Sequence, residues 1–157
     1  MKKRFKTAAL GGTFDFIHKG HQVLFSKAFE SAENILIGVT TDDFVVLLGK
    51  KIDHNFKDRV EKLRDHLDQS FDDRDFQIVP LDDYFGVEIY ADNVEVIIAS
   101  QETSSKVIDF NKKMADQGFN QLHLVVVNTV LADDGKPISS NRIRRMEINE
   151  EGHLLNK

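Results

Sequence analysis

Apolar runs rich in β-branched residues alternate along this chain with amphipathic stretches. Five runs read as strands: FKTAAL at 5–10, NILIGVT at 34–40, FQIVPL at 76–81, VEVIIAS at 94–100 and LHLVVVNTV at 122–130. Between them apolar positions recur at helical spacing over Gly20 to Ser31, Phe56 to Gln69, more weakly Tyr84 to Ala91, and Thr103 to Gln117, which ends at Gly118 as C-cap. Ser139 to Met146 opens one more helix. The runs ILIGV, VEVIIA and LVVV are nearly continuous, as expected of parallel strands covered on both faces. This alternation predicts an α/β fold with a doubly wound parallel five-stranded sheet, whose ligands bind in the loops beyond the carboxyl ends of the strands.

Composition narrows the class. At 157 residues, 41% hydrophobic and 30% charged, with Pro at 2, the chain reads as one globular domain over 1–157. The absence of cysteine removes disulfides, thiolate nucleophiles and cysteine zinc sites together. The first apolar run, Thr7 to Leu10, is too short for a signal peptide, and no run approaches the ~18 residues of a membrane span, so a cytoplasmic protein with no membrane partner is expected. A formal net charge of -5 argues against nucleic acid bound across the surface, yet leaves room for a basic pocket. The acidic patch Asp72, Asp73 and Asp75 reads as a solvated loop, and the charged tail is expected to fray after about residue 148. No uninterrupted apolar face demands a second copy of the chain, so a homo-oligomer is not indicated.

The first strand runs into GGTFDFIHKGH, Gly11 to His21, ahead of the first helix. Gly11 and Gly12 sit where the chain must turn and where a ligand can approach bare backbone. The spacing fits neither GxGxxG nor GxxxxGK[ST]. Asp15, His18 and His21, about one helical turn apart, form a facial set for a metal, although HExxH is absent. A plain glycine turn with two histidines capping the helix start is the simplest account. An anion site uses more of the residues: the free N–H groups of a helix start, both histidines, Gly20 between them and the Thr13 hydroxyl.

A second loop, DGKPISSNRIRR from Asp134 to Arg145, follows the fifth strand. Ser139 and Ser140 are N-cap types before a helix whose first turns carry Arg142, Arg144 and Arg145. Hydroxyls, amides and guanidinium groups there make a second anion site, or simply a capped basic helix. Two such helix starts on one edge of a sheet suit a triphosphate.

GTFDFIHKGH resembles the HxGH signature of the nucleotidyltransferase superfamily, which has a Rossmann-like fold. ISSNRIR is similar to the ISSTxIR-type motif with which adenylyltransferases clamp ATP phosphates, with Asn141 where Thr is more usual, and the RTxGISTT form of cytidylyltransferases is absent. TTDDFVVLLGKKIDHNFKDRV places Lys50 and Lys51 in a loop and Arg59 in the next helix, resembling the loop lysine and helix arginine of phosphopantetheine adenylyltransferases. Without that context, the lysines read as a solvated turn and Arg59 as a surface partner of Asp58 or Asp65. SQETSSKVIDFN, Ser100 to Asn111, resembles the SQET segment of the archaeal and eukaryotic type, and RRMEINEEG its closing RRGEID, with Met146 at the glycine.

The resemblance implies transfer of AMP from ATP to 4′-phosphopantetheine, giving dephospho-coenzyme A and pyrophosphate in coenzyme A biosynthesis. The alternatives are another HxGH adenylyltransferase, such as one acting on nicotinamide mononucleotide, or a non-catalytic nucleotide-binding module. The implied nucleophile is a phosphate oxygen, ionised near neutral pH because a monoester's second pKa is about 6, so no general base is needed. By the same resemblance, Gly11, Gly12, Thr13 and Phe14 hold the α-phosphate region. His21 stabilises its growing charge, and His18 binds beside it. Lys50 or Lys51 bridges the incoming phosphate and the α-phosphate. Ser139, Ser140 and Arg142 grip the β- and γ-phosphates. Ser100, Gln101, Glu102 and Thr103 lie beside the adenosine and the pantetheine phosphate. Mg2+ accompanies ATP, held by phosphate oxygens and water, and leaves no ligand signature.

Overall fold

The structure, a computed structural model, describes residues 3–71, 75–83 and 93–155. Strands β1 (Phe5–Gly12), β2 (Ala32–Thr40), β3 (Asp75–Leu81), β4 (Val96–Ser100) and β5 (His123–Val127) form one sheet in the order β3-β2-β1-β4-β5. Every neighbouring pair is parallel, in a register that sets Ala8 against both Ile35 and Val96. The helices are α1 (Lys19–Ser31), α2 (Asp42–Leu47), α3 (Phe56–Ser70), α4 (Gln101–Asp116) and α5 (Ser140–Arg144). The doubly wound α/β architecture is the one expected.

The near-continuous apolar runs are explained by which neighbour each residue meets. Ala8, Leu10, Ile35, Ile37, Val96 and Ile98 face Phe25 and Phe29 of α1 and Leu63 and Leu67 of α3. Their alternates Ala9, Leu36, Ile97 and Ala99 face the other way, onto Val107 of α4. Both faces of the central strands are thus dry, and each large side chain so buried contributes about 1.5–3 kcal/mol.

From β1 the chain steps outward to β2 and β3, then crosses back to lay β4 on the opposite side of β1. The crevice beyond the carboxyl ends of β1 and β4 is therefore the topological switch point, the standard ligand position in such sheets.

Several local expectations change. Helix α2 was not expected: Thr41 caps it by accepting the Phe44 amide, and it buries Phe44 and Val45, but six residues are too few to show a helical period. Strand β5 stops at Val127, so Asn128 to Val130 belong to the loop after it. Asp75 opens β3 opposite Asn34 instead of standing in a loop; Asp72, Asp73 and the helical pattern at 84–91 lie outside the described residues. Gly118 takes a left-handed conformation at φ +91 just past α4, as its C-cap role requires.

Where a frayed tail was expected, residues 148–155 fold back onto the domain. Ile148, 1% exposed, packs with Ala132, Ile138 and Ile143 in a small separate core. The Glu150 carbonyl accepts the Lys19 amide at 2.9 Å, and Ile148 bridges to Leu154. The tail therefore braces both the start of α1 and the loop that carries α5.

Candidate active site

A cleft of about 580 Å³ opens at the switch point, and the loops after β1, β2, β4 and β5 all reach it. Of the residues singled out from the sequence, Gly11, Gly12, Thr13, Phe14, His18 and His21 line it from the first loop. Lys50 and Lys51, then Ser100, Glu102 and Thr103, then Ser139 and Ser140, line it from the other three. Gln101 and Arg142 do not.

The two histidines form a matched cap on α1. Nδ1 of His18 accepts the Gly20 amide at 3.0 Å, and Nδ1 of His21 accepts the His18 amide at 3.3 Å. A ring nitrogen that accepts carries no proton, so in each neutral ring the proton sits on Nε2, leaving one N–H donor apiece. Burial pushes the His18 pKa down to about 4. Burial, with the neighbouring His18 and His66, pushes His21 well below its ordinary value. The pair thus presents neutral donors at neutral pH. The facial metal set does not form, because both Nδ1 atoms are used by the backbone and Asp15 turns away to Arg144 and His54. Among the described residues no group of three or more His, Cys, Asp or Glu is placed to hold a metal ion.

The glycines act differently from the turn expected of them. Gly11 and Gly12 still belong to β1, and the left-handed residue is Phe14, at φ +55. A Cβ on Gly12 would lie 3.0 Å from the Phe14 ring. The glycine is needed so that Phe14 can fold back over the strand, where its buried ring meets His21 edge-on at 5.0 Å and Phe25 at 5.6 Å. A non-glycine residue in this conformation stores backbone strain, which the packed ring holds in place. Gly20 has a comparable reason: a Cβ there would meet Cε1 of His18 at 2.9 Å. Beside them the Thr40 hydroxyl donates to Oγ1 of Thr13 at 3.0 Å, so the Thr13 proton is left for the cleft.

Arg59 is no surface residue. It is fully buried and donates to three carbonyls, those of Thr13 at 2.9 Å, Thr40 at 2.8 Å and His54 at 3.0 Å, while pairing with Asp42 at 2.8 Å. It therefore ties the ends of β1 and β2 to the loop that follows Lys50 and Lys51. Both lysines are exposed. Lys50 also lines a second, more apolar chamber of about 250 Å³ on the α4 face of the sheet, walled by Leu36, Val79, Leu81, Ile97 and Ala99. The two spaces share a border that includes Thr13, Lys50, Ser100, Glu102 and Thr103.

In the second loop, Ser139 caps α5 by accepting the Arg142 amide at 3.2 Å, and Ser140 donates to the Phe16 carbonyl at 3.3 Å. Arg142 turns away from the cleft. Its guanidinium pairs with Asp134 at 2.5 Å and Glu147 at 3.0 Å, and it is spent on bracing its own loop. Arg144 is the arginine that reaches the cleft, held by Asp15 and by Asn141 Oδ1 at 2.6 Å, with the Phe16 ring beneath it at 5.6 Å. The signal was present in the motif: ISSNRIR set on ISSTxIR puts the fixed arginine at Arg144 and the variable position at Arg142.

At the start of α4, Ser100 and Thr103 hydroxyls lie 3.2 Å apart, and Gln101 instead accepts from the Thr129 hydroxyl at 3.3 Å. Asn128 and Thr129 line the cleft as well, and reading them into the last strand concealed them.

A switch-point crevice with paired neutral imidazoles, hydroxyls and cations defines a nucleotide-binding α/β protein, and the chain belongs to the cytidylyltransferase-like family, which it matches over residues 9–146. Its relatives include a phosphopantetheine adenylyltransferase of Methanothermobacter thermautotrophicus, 38% identical and covering 100% of this chain and 94% of that protein. Another so named, from Methanopyrus kandleri, is 40% identical over 90% of each chain. One from Pyrococcus furiosus is 30% identical over 100% of this chain and 98% of its own. These relatives bear out the resemblance carried by the motifs. Among solved structures, a protein of unknown function from Archaeoglobus fulgidus matches with a TM-score of 0.68 at 27% identity, covering 77% of this chain and 88% of that one. A pantoate-β-alanine ligase from Francisella tularensis, at 12% identity and TM-score 0.60 over 92% of this chain and 67% of its own, shares the fold.

Proposed function

We propose that this chain transfers AMP from ATP to 4′-phosphopantetheine, releasing pyrophosphate and forming dephospho-coenzyme A. The observation that carries the reading is the junction of two spaces along a border that includes Thr13, Lys50, Ser100, Glu102 and Thr103: a polar cleft with cations and hydroxyls, and an apolar chamber beside it. A triphosphate suits the first. An acceptor with one phosphate and a long arm that mixes methylene and gem-dimethyl groups with amides suits the pair. The archaeal relatives that share nearly the whole chain carry the name of that activity.

An oxygen of the acceptor phosphate attacks the α-phosphorus, the bond from that phosphorus to the bridging oxygen breaks, and pyrophosphate leaves with the electron pair. The acceptor is already an anion, so no side chain needs to remove a proton. Catalysis rests on alignment and on charge stabilisation in a preorganised site. His21 donates its Nε2–H to the α-phosphate as negative charge builds there, and His18 donates beside it. Thr13 holds the same phosphate. Ser139, Ser140 and Arg144 take the β- and γ-phosphates, and Glu102, which borders both spaces at the α4 start, lies beside ATP. Lys50, which borders both spaces, bridges the incoming phosphate and the α-phosphate, with Lys51 supporting the field. Magnesium would accompany ATP and offset its phosphate charge, and Asp15, committed to protein donors, would not be needed to hold it.

Pyrophosphate release from ATP tests the reading. Release with 4′-phosphopantetheine and none with nicotinamide mononucleotide is expected. The reverse pattern, or tight ATP binding without turnover on either acceptor, would overturn it.

A further inference from the structure

Asp15 is a buried carboxylate on which two separate pieces of the cleft wall converge, the loop after Lys51 and helix α5. It lies two residues beyond Thr13 and is 3% exposed. Its Oδ1 accepts the His54 amide at 3.0 Å and meets the His54 ring Nδ1 at 3.0 Å. The Asp53 amide lies 3.1 Å from Oδ1 and 3.0 Å from Oδ2, and Oδ2 also accepts from Nη2 of Arg144. Burial opposes the charge on Asp15. The Asp53 amide, Arg144 and His54 outweigh that opposition and hold its carboxyl below the usual range.

Arg144 is equally constrained. Nη1 donates to Asn141 and Nη2 to Asp15, while the guanidinium lies over the Phe16 ring, itself edge-on to His54 at 5.3 Å. Each terminal nitrogen carries two hydrogens, so after these bonds one donor remains on each. Such a leftover pair can serve as a bidentate fork for a phosphate, while Nε lies 3.3 Å from the Asp53 carboxylate. On the other side, the Asp53 and His54 amides follow Lys51 by only two and three residues, so fixing them limits where the lysines can travel.

We propose that Asp15 is a positioning residue that aims the free fork of Arg144 into the cleft and, through the amides of Asp53 and His54, anchors the lysine loop to the same carboxylate. The triphosphate clamp and the acceptor loop then share one internal reference point, set two residues from the strand end that holds the α-phosphate. This rests on the adenylyl-transfer reading for the identity of the anions, and on the geometry for the coupling.

The test uses Asp15→Asn in the full chain, with MgATP binding read by calorimetry alongside steady-state kinetics. Asparagine keeps the shape but replaces one acceptor oxygen with a donor, so it cannot serve Arg144 and the two amides together. MgATP affinity is expected to fall roughly tenfold or more, as for a lost charge-assisted hydrogen bond. KM for ATP should rise with it in the molecules that remain folded. A purely structural Asp15 would lower the melting temperature and the active fraction while leaving both quantities at the wild-type value, and that result overturns the proposal. A second arm adds guanidinium chloride, below denaturing concentration, to Arg144→Ala. Recovery of ATP binding is expected there and is not expected in the Asp15→Asn, Arg144→Ala double variant; equal recovery in both, or none in either, counts against Asp15 as the holder. Should Asp15→Asn fail to melt cooperatively, Asp15→Ser, which leaves space for water beside the amides, takes its place in both arms. Because the binding readout needs no acceptor, a failure of the acceptor assignment leaves it intact and is recognised separately by absent pyrophosphate release in the wild type.

Discussion

His18 and His21 stack face to face, their ring centroids 3.8 Å apart and their planes 21° from parallel. Two imidazolium rings so close repel one another, and a proton on either Nδ1 would confront the amide it now accepts. Both rings are therefore neutral in the fold, with pKa values below the ordinary 6.5, His18 at about 4. On unfolding each ring regains its ordinary pKa and takes up a proton wherever the pH lies below it. The stability contributed by this pair is thus complete above about pH 6.5 and is lost as the pH falls from there toward 4. Each histidine contributes a slope of about 1.4 kcal/mol per pH unit inside that window. Urea melts at a series of pH values measure it, and a flat profile between about pH 6.5 and 5 would rule out neutral, depressed histidines. The rate profile should carry the acceptor phosphate's ionisation near pH 6 and no separate histidine step.

The pair is also separable by substitution. His21→Ala removes the proposed donor to the α-phosphate and should lower kcat roughly 10²-fold in the folded enzyme; because the ring also accepts the His18 amide and packs on Phe14, the melting temperature should fall as well. Gly20→Ala acts on its neighbour: the new methyl meets Cε1 of His18 at 2.9 Å and Nδ1 at 3.0 Å, so the ring must leave the Gly20 amide. KM for ATP should rise more than kcat falls. Kinetics of the two variants side by side decide the matter, and equal kcat losses would mean the histidines share the chemical role.

Which of these features the chain declares in advance follows from how local their causes are. Strands such as ILIGV and VEVIIA are visible because burial on both faces writes a continuous apolar run into neighbouring residues. The six residues of α2 bury only Phe44 and Val45, too little to mark a period. The Gly11-Gly12 pair is visible as glycine, but its cause, the Phe14 ring returning over Gly12, depends on a backbone turn two residues later. Arg59 shows the same limit at longer range: the carbonyls it holds, on Thr13 and Thr40, are 46 and 19 residues away, and no spacing rule connects them.

Lys50 and Lys51 are adjacent, both exposed and both at the cleft, yet only Lys50 also borders the apolar chamber. A lysine that contacts the acceptor phosphate and the α-phosphate at once must stand at that junction. Lys50→Ala should therefore reduce kcat on the order of 10²-fold or more, the loss associated with one transition-state charge donor. Lys51→Ala, removing a charge from the rim, should mainly raise KM and steepen the salt dependence less than the wild type shows. Steady-state assays at two ionic strengths distinguish them, and a mild kcat defect at Lys50 with a severe one at Lys51 would reverse the assignment.

The two arginines of ISSNRIR lie on opposite sides of α5 and have different work. Arg142 is caught between Asp134 and Glu147, where hydrogen bonds from the guanidinium hold the Asp134 carboxyl below its usual range. Removing it leaves two carboxylates facing each other across the loop that supports Ile138 and Ser139. Arg142→Ala should therefore lower the melting temperature while the folded fraction binds ATP nearly as the wild type does. Arg144 lines the cleft with the Asp15 carboxylate behind it. Arg144→Ala should weaken ATP roughly tenfold or more. Asp15 keeps the Asp53 and His54 donors in that variant, so its melting temperature should change less than that of Arg142→Ala. Thermal melts and ATP titrations on both variants give a crossed pattern if this division holds. If Arg142→Ala instead loses ATP affinity while Arg144→Ala retains it, the phosphate clamp belongs to Arg142 and its loop must open to release that side chain.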